Sequence, residues 1–113
     1  MQYMLQIFSN GGEAYDSLSE DERQAVSAEY FAISGRTGVT GGVQLQPVET
    51  ATTVRVQDGR TLTTDGPFPE TKEALGGYYL FEADDLDAAI EIAARIPAAR
   101  MGGAVEVRPV VER

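Results

Sequence analysis

The sequence predicts an α+β sandwich in the ferredoxin-like layout with an inserted β-hairpin, and three observations lead to it. Segments of period-two alternation and segments of helical spacing follow one another in the order β-α-β-hairpin-β-α-β. Two helices against so few strands favour an antiparallel sheet with both helices on one face. At 113 residues with 42% hydrophobic content the chain can bury one compact core, so residues 1–113 are read as a single domain.

Each element has its own justification. The opening QYMLQIFSN predicts a strand over residues 2–8, with Tyr3, Leu5 and Ile7 on one face and Met4, Gln6 and Phe8 on the other. Ser19 followed by Glu22 is a capping box, and acidic residues in that first turn suit the positive end of a helix dipole. The helix it starts places Val26, Tyr30 and Ile33 on one stripe and ends at Gly35 or Gly38. GGVQLQP predicts a short strand closed by Pro47. In TTVRVQDGRTLTT, alternating residues flank Asp58-Gly59, a pair that tolerates the positive φ angles of a two-residue hairpin turn. GGYYLFEA predicts a strand with Tyr79, Phe81 and Ala83 on one side and Tyr78, Leu80 and Glu82 on the other. DDLDAAIEIAARIP predicts a helix capped at Asp84 or Asp85, ended before Pro97, and buried through Leu86, Ala89, Ile90 and Ala93. The last strand, AVEVRPVVE, turns Val105, Val107 and Val111 inward and Glu106, Arg108 and Glu112 outward.

The strands at 2–8 and 78–83 are apolar on both sides, which a sheet with one face in water does not require. An apolar helix-free face points to an interface or a ligand groove. Two such sheets facing each other across a two-fold axis would cover it, and a homodimer is expected.

Composition removes several function classes. With 18 acidic and 9 basic residues the formal charge is −9, which disfavours nucleic acid and an anionic membrane surface as partners. The absence of cysteine excludes disulfides, thiolate metal sites and cysteine nucleophiles. The absence of histidine removes the side chain best suited to proton transfer near neutral pH. MQYMLQIF is apolar but lacks the features of a signal peptide, and no apolar run approaches the ~20 residues that span a bilayer, so a cytoplasmic location is expected.

The stretch TDGPFPETKEALGG, residues 64–77, carries the candidate chemistry. Asp65 fits a turn in which Gly66 takes an unusual dihedral and Pro67 fixes the exit. It equally fits a carboxylate at a cleft mouth, acting as a base or accepting from a ligand's amine or hydroxyl. Lys72 is the chain's only lysine against eight arginines, which favours a point charge with a shiftable pKa or an anion-binding role over an interchangeable surface cation. A salt bridge to Glu70 or Glu73 is the alternative. Asp65 and Lys72 are therefore the candidate catalytic residues, with Gly66, Pro67, Phe68, Glu70, Thr71 and Tyr79 as candidate ligand-binding residues. Glu70, Thr71 and Glu73 match no established metal-loop spacing, so no metal and no cofactor is expected.

Asp65-Gly66-Pro67-Phe68, Glu70-Thr71-Lys72-Glu73, Gly76-Gly77-Tyr78-Tyr79 and the closing VEVRPV, together with YMLQIF and ETATTVRVQDGR, resemble the DGPF-domain branch of the YCII-related family. The resemblance spans nearly the whole chain. It implies a dimeric α/β-barrel of ferredoxin-like subunits, and relatives of this kind are small bacterial proteins sometimes encoded beside extracytoplasmic-function sigma factors. The wider group has been suggested to work through a histidine–aspartate pair, but Ala98-Ala99-Arg100-Met101-Gly102 stands where many relatives read AARHG, so that dyad cannot form here. Two functions are expected on this basis. One is a dimer binding a small molecule near the DGPF loop, with or without turnover; the other is a non-enzymatic regulatory module associated with a sigma factor.

Overall fold

A four-stranded antiparallel sheet carries the core of the protein. The computed structural model describes residues 1–9, 13–66 and 73–113. Among them the elements are β1 (Gln2–Ser9), α1 (Glu13–Asp16), α2 (Glu20–Ser34), β2 (Val39–Gln44), β3 (Thr52–Gln57), β4 (Arg60–Asp65), β5 (Ala74–Glu82), α3 (Leu86–Ala93) and β6 (Ala104–Pro109). Short 3₁₀ turns lie at Val48–Thr50 and Pro97–Ala99. The sheet order is β2-β5-β1-β6, every neighbouring pair antiparallel, an α+β arrangement compatible with the ferredoxin-like fold. β3 and β4 pair with each other in a separate two-stranded sheet.

Alternation decides which sheet face is buried. Tyr3 and Leu5 of β1 and Tyr79 and Phe81 of β5 stand opposite one another and are buried. They pack with Ile33 of α2 and with Ala89, Ile92 and Ala93 of α3, so both helices cover the same sheet face. Val105 and Val107 of β6 pack against this core as half-buried residues.

Local chemistry sets the element ends. The capping box at the start of α2 is complete: the Ser19 N–H donates to Glu22 Oε1 at 3.0 Å and the Glu22 N–H donates to Ser19 Oγ at 3.2 Å. Gly35 closes that helix, and Gly38, at φ +96°, turns the chain into β2. Asp85 caps α3 by accepting from the Ala88 N–H at 2.9 Å. At the tip of the β3–β4 ribbon, Asp58 and Gly59 adopt φ of +50° and +74°, the left-handed pair that a two-residue hairpin turn requires.

The structure departs from the sequence expectation at four places. The first is α3, whose buried residues are Ala89, Ile92 and Ala93, continued by Ile96, while Leu86 and Ile90 are each 48% exposed. The helix is apolar on two overlapping stripes and is rotated by roughly 60° from the expected one, a shift that at ~100° per residue buries the two isoleucines nearer its C-terminal end. The second is β5, which begins at Ala74, so the segment between β4 and β5 is shorter than the motif loop suggested. The third is β2, which runs from Val39 to Gln44 and stops before Pro47. The fourth is Val111, which is 72% exposed rather than inward. β6 ends at Pro109 and its ladder with β1 carries on only to the Val110 N–H, which donates to the Gln2 carbonyl at 2.8 Å, so Val111 lies past the end of the strand.

Candidate functional site

The face of the sheet opposite the helices is built by the second half of each alternation. Register places Met4 opposite Leu80, Gln6 opposite Tyr78 and Phe8 opposite Leu75. Val43 of β2 joins Tyr78 from one side, and Glu106 and Arg108 of β6 join Gln6 and Met4 from the other. The β1–β5 register slips between Ile7 and Phe8, so Gly76 is the extra residue of a bulge. That bulge has a consequence: it turns Leu75 to the helix-free face, where an unbroken alternation would have aimed it at the helices.

Beyond the bulge this face becomes a groove of about 870 Å³. Phe8, Leu75 and Ala104 supply apolar wall from the strands, and Leu45, Pro47 and Val48 supply it from the segment after β2. Glu73 and Glu106 bring carboxylates to the lining, and Gln46 and Thr50 bring neutral polar groups. Glu106 also lies 3.8 Å from the Arg108 guanidinium, an exposed pair worth little in water. The chemistry on offer is that of a binding site: a broad apolar wall to remove a ligand's surface from water, with a few oxygen acceptors to orient it.

Asp65 ends β4 and is exposed. The next residue, Gly66, has φ +101° and donates its N–H to the Ala51 carbonyl at 2.8 Å, while Thr53 Oγ1 donates to the Gly66 carbonyl at 2.6 Å. Ala51 lines the groove, so the Asp65-Gly66 turn is tied to the groove wall by its backbone. Tyr79 lies on the opposite sheet face, buried, with its hydroxyl donating to the Tyr30 carbonyl at 3.0 Å. Burial raises the Tyr30 hydroxyl above its ordinary pKa, and a hydrogen bond with the Ala98 backbone works against that shift. Pro67, Phe68, Glu70, Thr71 and Lys72 lie outside the described residues. Among the described residues no group of three or more Asp or Glu is arranged to hold a metal ion, and no helix is long and apolar enough to cross a membrane.

Sequence reasoning put Phe8 on the strand face opposite Tyr3 and Leu5 and Pro47 at a strand end, but it did not foresee the groove between them. The missed residues are Leu45, Val48, Leu75 and Glu106, which are far apart in the chain. Their only local signal was the LQPV run that carries apolar residues past the end of β2.

The model of the YCII-related domain matches residues 1–113. An uncharacterised protein of Rhizobium meliloti (strain 1021) is 39% identical over 100 residues, spanning 83% of this chain and 78% of that protein.

Proposed function

The chain belongs to the YCII-related domain family, and on that premise we propose that it works as a homodimer whose subunits each bind a small, largely apolar molecule in the groove beside the Asp65-Gly66 turn. The observation that carries this reading is the groove itself: about 870 Å³, walled by Phe8, Leu45, Pro47, Val48 and Leu75, with Glu73 and Glu106 among its lining residues. That volume falls within the ~300–1,000 Å³ typical of small-molecule sites. Two copies set their helix-free faces together across a two-fold axis as a dimeric α/β-barrel, with β3–β4 as an insertion that leaves the barrel strands undisturbed. Asp65 supplies an acceptor for a ligand's amine or hydroxyl, and with no histidine in the chain any proton transfer uses a carboxylate, Lys72, a tyrosine or bound water, Asp65 and Lys72 being the candidates.

A thermal-shift screen against a metabolite library tests the reading, because a ligand at a hundred times its Kd adds about 2.7 kcal/mol to stability. In a domain of this size that raises Tm by on the order of 10 °C. The shift given by a hit should disappear in Leu45→Arg, which puts a charge on an exposed stretch of the groove wall, and in Asp65→Asn. Both variants should keep the unliganded Tm. A hit that stabilises Leu45→Arg as well as the parent places the ligand elsewhere, and an Asp65→Asn protein that fails to fold makes the turn structural.

A further inference from the structure

Among the described residues the β3–β4 ribbon forms a two-stranded sheet of its own, paired with no other strand. A two-stranded hairpin is marginally stable in water, because neither of its faces buries enough apolar surface. Here Val54 and Val56 are 59% and 68% exposed. Register puts them with Thr63 and Thr61, and sets Thr52 and Asp65 on the same face at the base of the ribbon, so that the outer part of this face is a strip of four β-branched side chains. Arg55 and Leu62 share the other face.

The dimensions of the chain fit the same picture. Its radius of gyration is 15.9 Å and its extents are 46 × 42 × 19 Å. A chain of this length folded into a compact ball has a radius of gyration of about 13 Å. The protein is therefore wide and thin: 19 Å accommodates one sheet and one helix layer.

We propose that the β3–β4 ribbon is an arm that packs its Val54 and Val56 face onto a second copy of this chain. The proposal rests on the homodimer reading above and names the segment that completes the interface. Area supports it. Four strands averaging about seven residues make a sheet face of roughly 470 Å² in projection. Stable interfaces bury about 800 Å² on each partner. One face of the ribbon adds roughly 200 Å², and each arm covers an equal area of the copy that receives it, which brings the projected total per copy to about 870 Å². Charge supports it as well. The chain carries a net charge of −9, but in residues 52–65 Arg55 and Arg60 balance Asp58 and Asp65. Two strongly acidic bodies repel on approach, and the neutral arm is the segment that can meet a like-charged copy without that penalty. A basic foreign partner would instead be drawn to the acidic body and would have no reason to choose the arm.

Sedimentation velocity over a concentration series is the test, run on the parent protein, on Val54→Thr/Val56→Thr and on Val54→Glu/Val56→Glu. The threonine pair keeps strand propensity, shape and charge, so a loss seen there reports the apolar contact rather than a melted ribbon. Far-UV circular dichroism checks that all three proteins share one fold. The expected result is a dimer whose dissociation constant rises at least tenfold in the threonine pair and further in the glutamate pair. A parent dimer with an unchanged dissociation constant in both variants overturns the arm and leaves the sheet-to-sheet dimer standing. A parent that is monomeric throughout overturns both. Because the chain has no cysteine, Val56→Cys labelled with a benzophenone gives an independent readout. It should yield a dimer-sized photoadduct, and adducts found only within one chain would overturn the arm.

Discussion

At Gly77 the backbone of β2 comes close to that of β5. A β-carbon there would lie 2.5 Å from the Val43 carbonyl of β2, and backbone in a sheet cannot swing aside as a long side chain can. The glycine pair before Tyr78 thus divides its work: Gly76 is the extra residue of the bulge that aims Leu75 at the groove, and Gly77 admits β2 to the sheet. Gly77→Ala is expected to cost about 2 kcal/mol in urea unfolding, the scale of a forced overlap in a packed structure. Gly76→Ala meets nothing nearer than the Ile7 carbonyl at 3.9 Å and should cost distinctly less. Equal losses at the two positions would remove the argument that strand approach selects the second glycine. The Asp65-Gly66 turn shows the same economy, since its positive φ and its tie to Ala51 both depend on backbone rather than on the carboxylate.

The helices differ in what holds them. α3 is held by packing, through Ala89, Ile92 and Ala93. α2 buries only Val26 and Ile33 along 15 residues, so its first turn depends more on the Ser19–Glu22 box. The Ser19 backbone and side-chain hydrogen bonds hold the Glu22 carboxyl below its ordinary value of 4.5. A carboxyl whose folded pKa is depressed contributes stability that is present above the unfolded value and lost as pH falls through the folded one. Helical signal in the parent should therefore decline as pH drops below about 4.5, the unfolded value. Glu22→Gln keeps the reciprocal hydrogen bonds without the titration and should flatten that part of the profile. Ser19→Ala should cost about 1 kcal/mol at neutral pH. An acid profile identical in the parent and Glu22→Gln would show that the box does not govern the end of α2.

The whole molecule is two layers deep, with the helices on one side of the sheet and Met4, Phe8, Val43, Tyr78 and Leu80 on the other. For a dimer closed over that face, unfolding is coupled to dissociation. Each tenfold rise in protein concentration then adds ~1.4 kcal/mol to the stability of the assembly. Tm should climb steadily across a hundredfold concentration range in differential scanning calorimetry. A Tm that stays constant over that range describes a protomer stable alone and would end the homodimer reading.

Much of the architecture was legible in the chain because it is written at short range. The Ser19–Glu22 box, the Asp58-Gly59 turn and the alternation of Tyr3, Leu5, Tyr79 and Phe81 each depend on neighbours within a few residues, and all of them reappear in the structure. The face that α3 buries was not legible, because Leu86/Ile90 and Ile92/Ile96 are equally good apolar pairs at helical spacing. Only the position of the sheet beneath the helix chooses between them. The groove was hidden for the same reason. Phe8, Leu45, Leu75 and Glu106 belong to segments that meet only after strand order and a one-residue bulge are set. Local periodicity determined by itself which residues turn toward a core; the pairing of distant strands decided what the opposite face would enclose, because register is a property of two segments and is contained in neither.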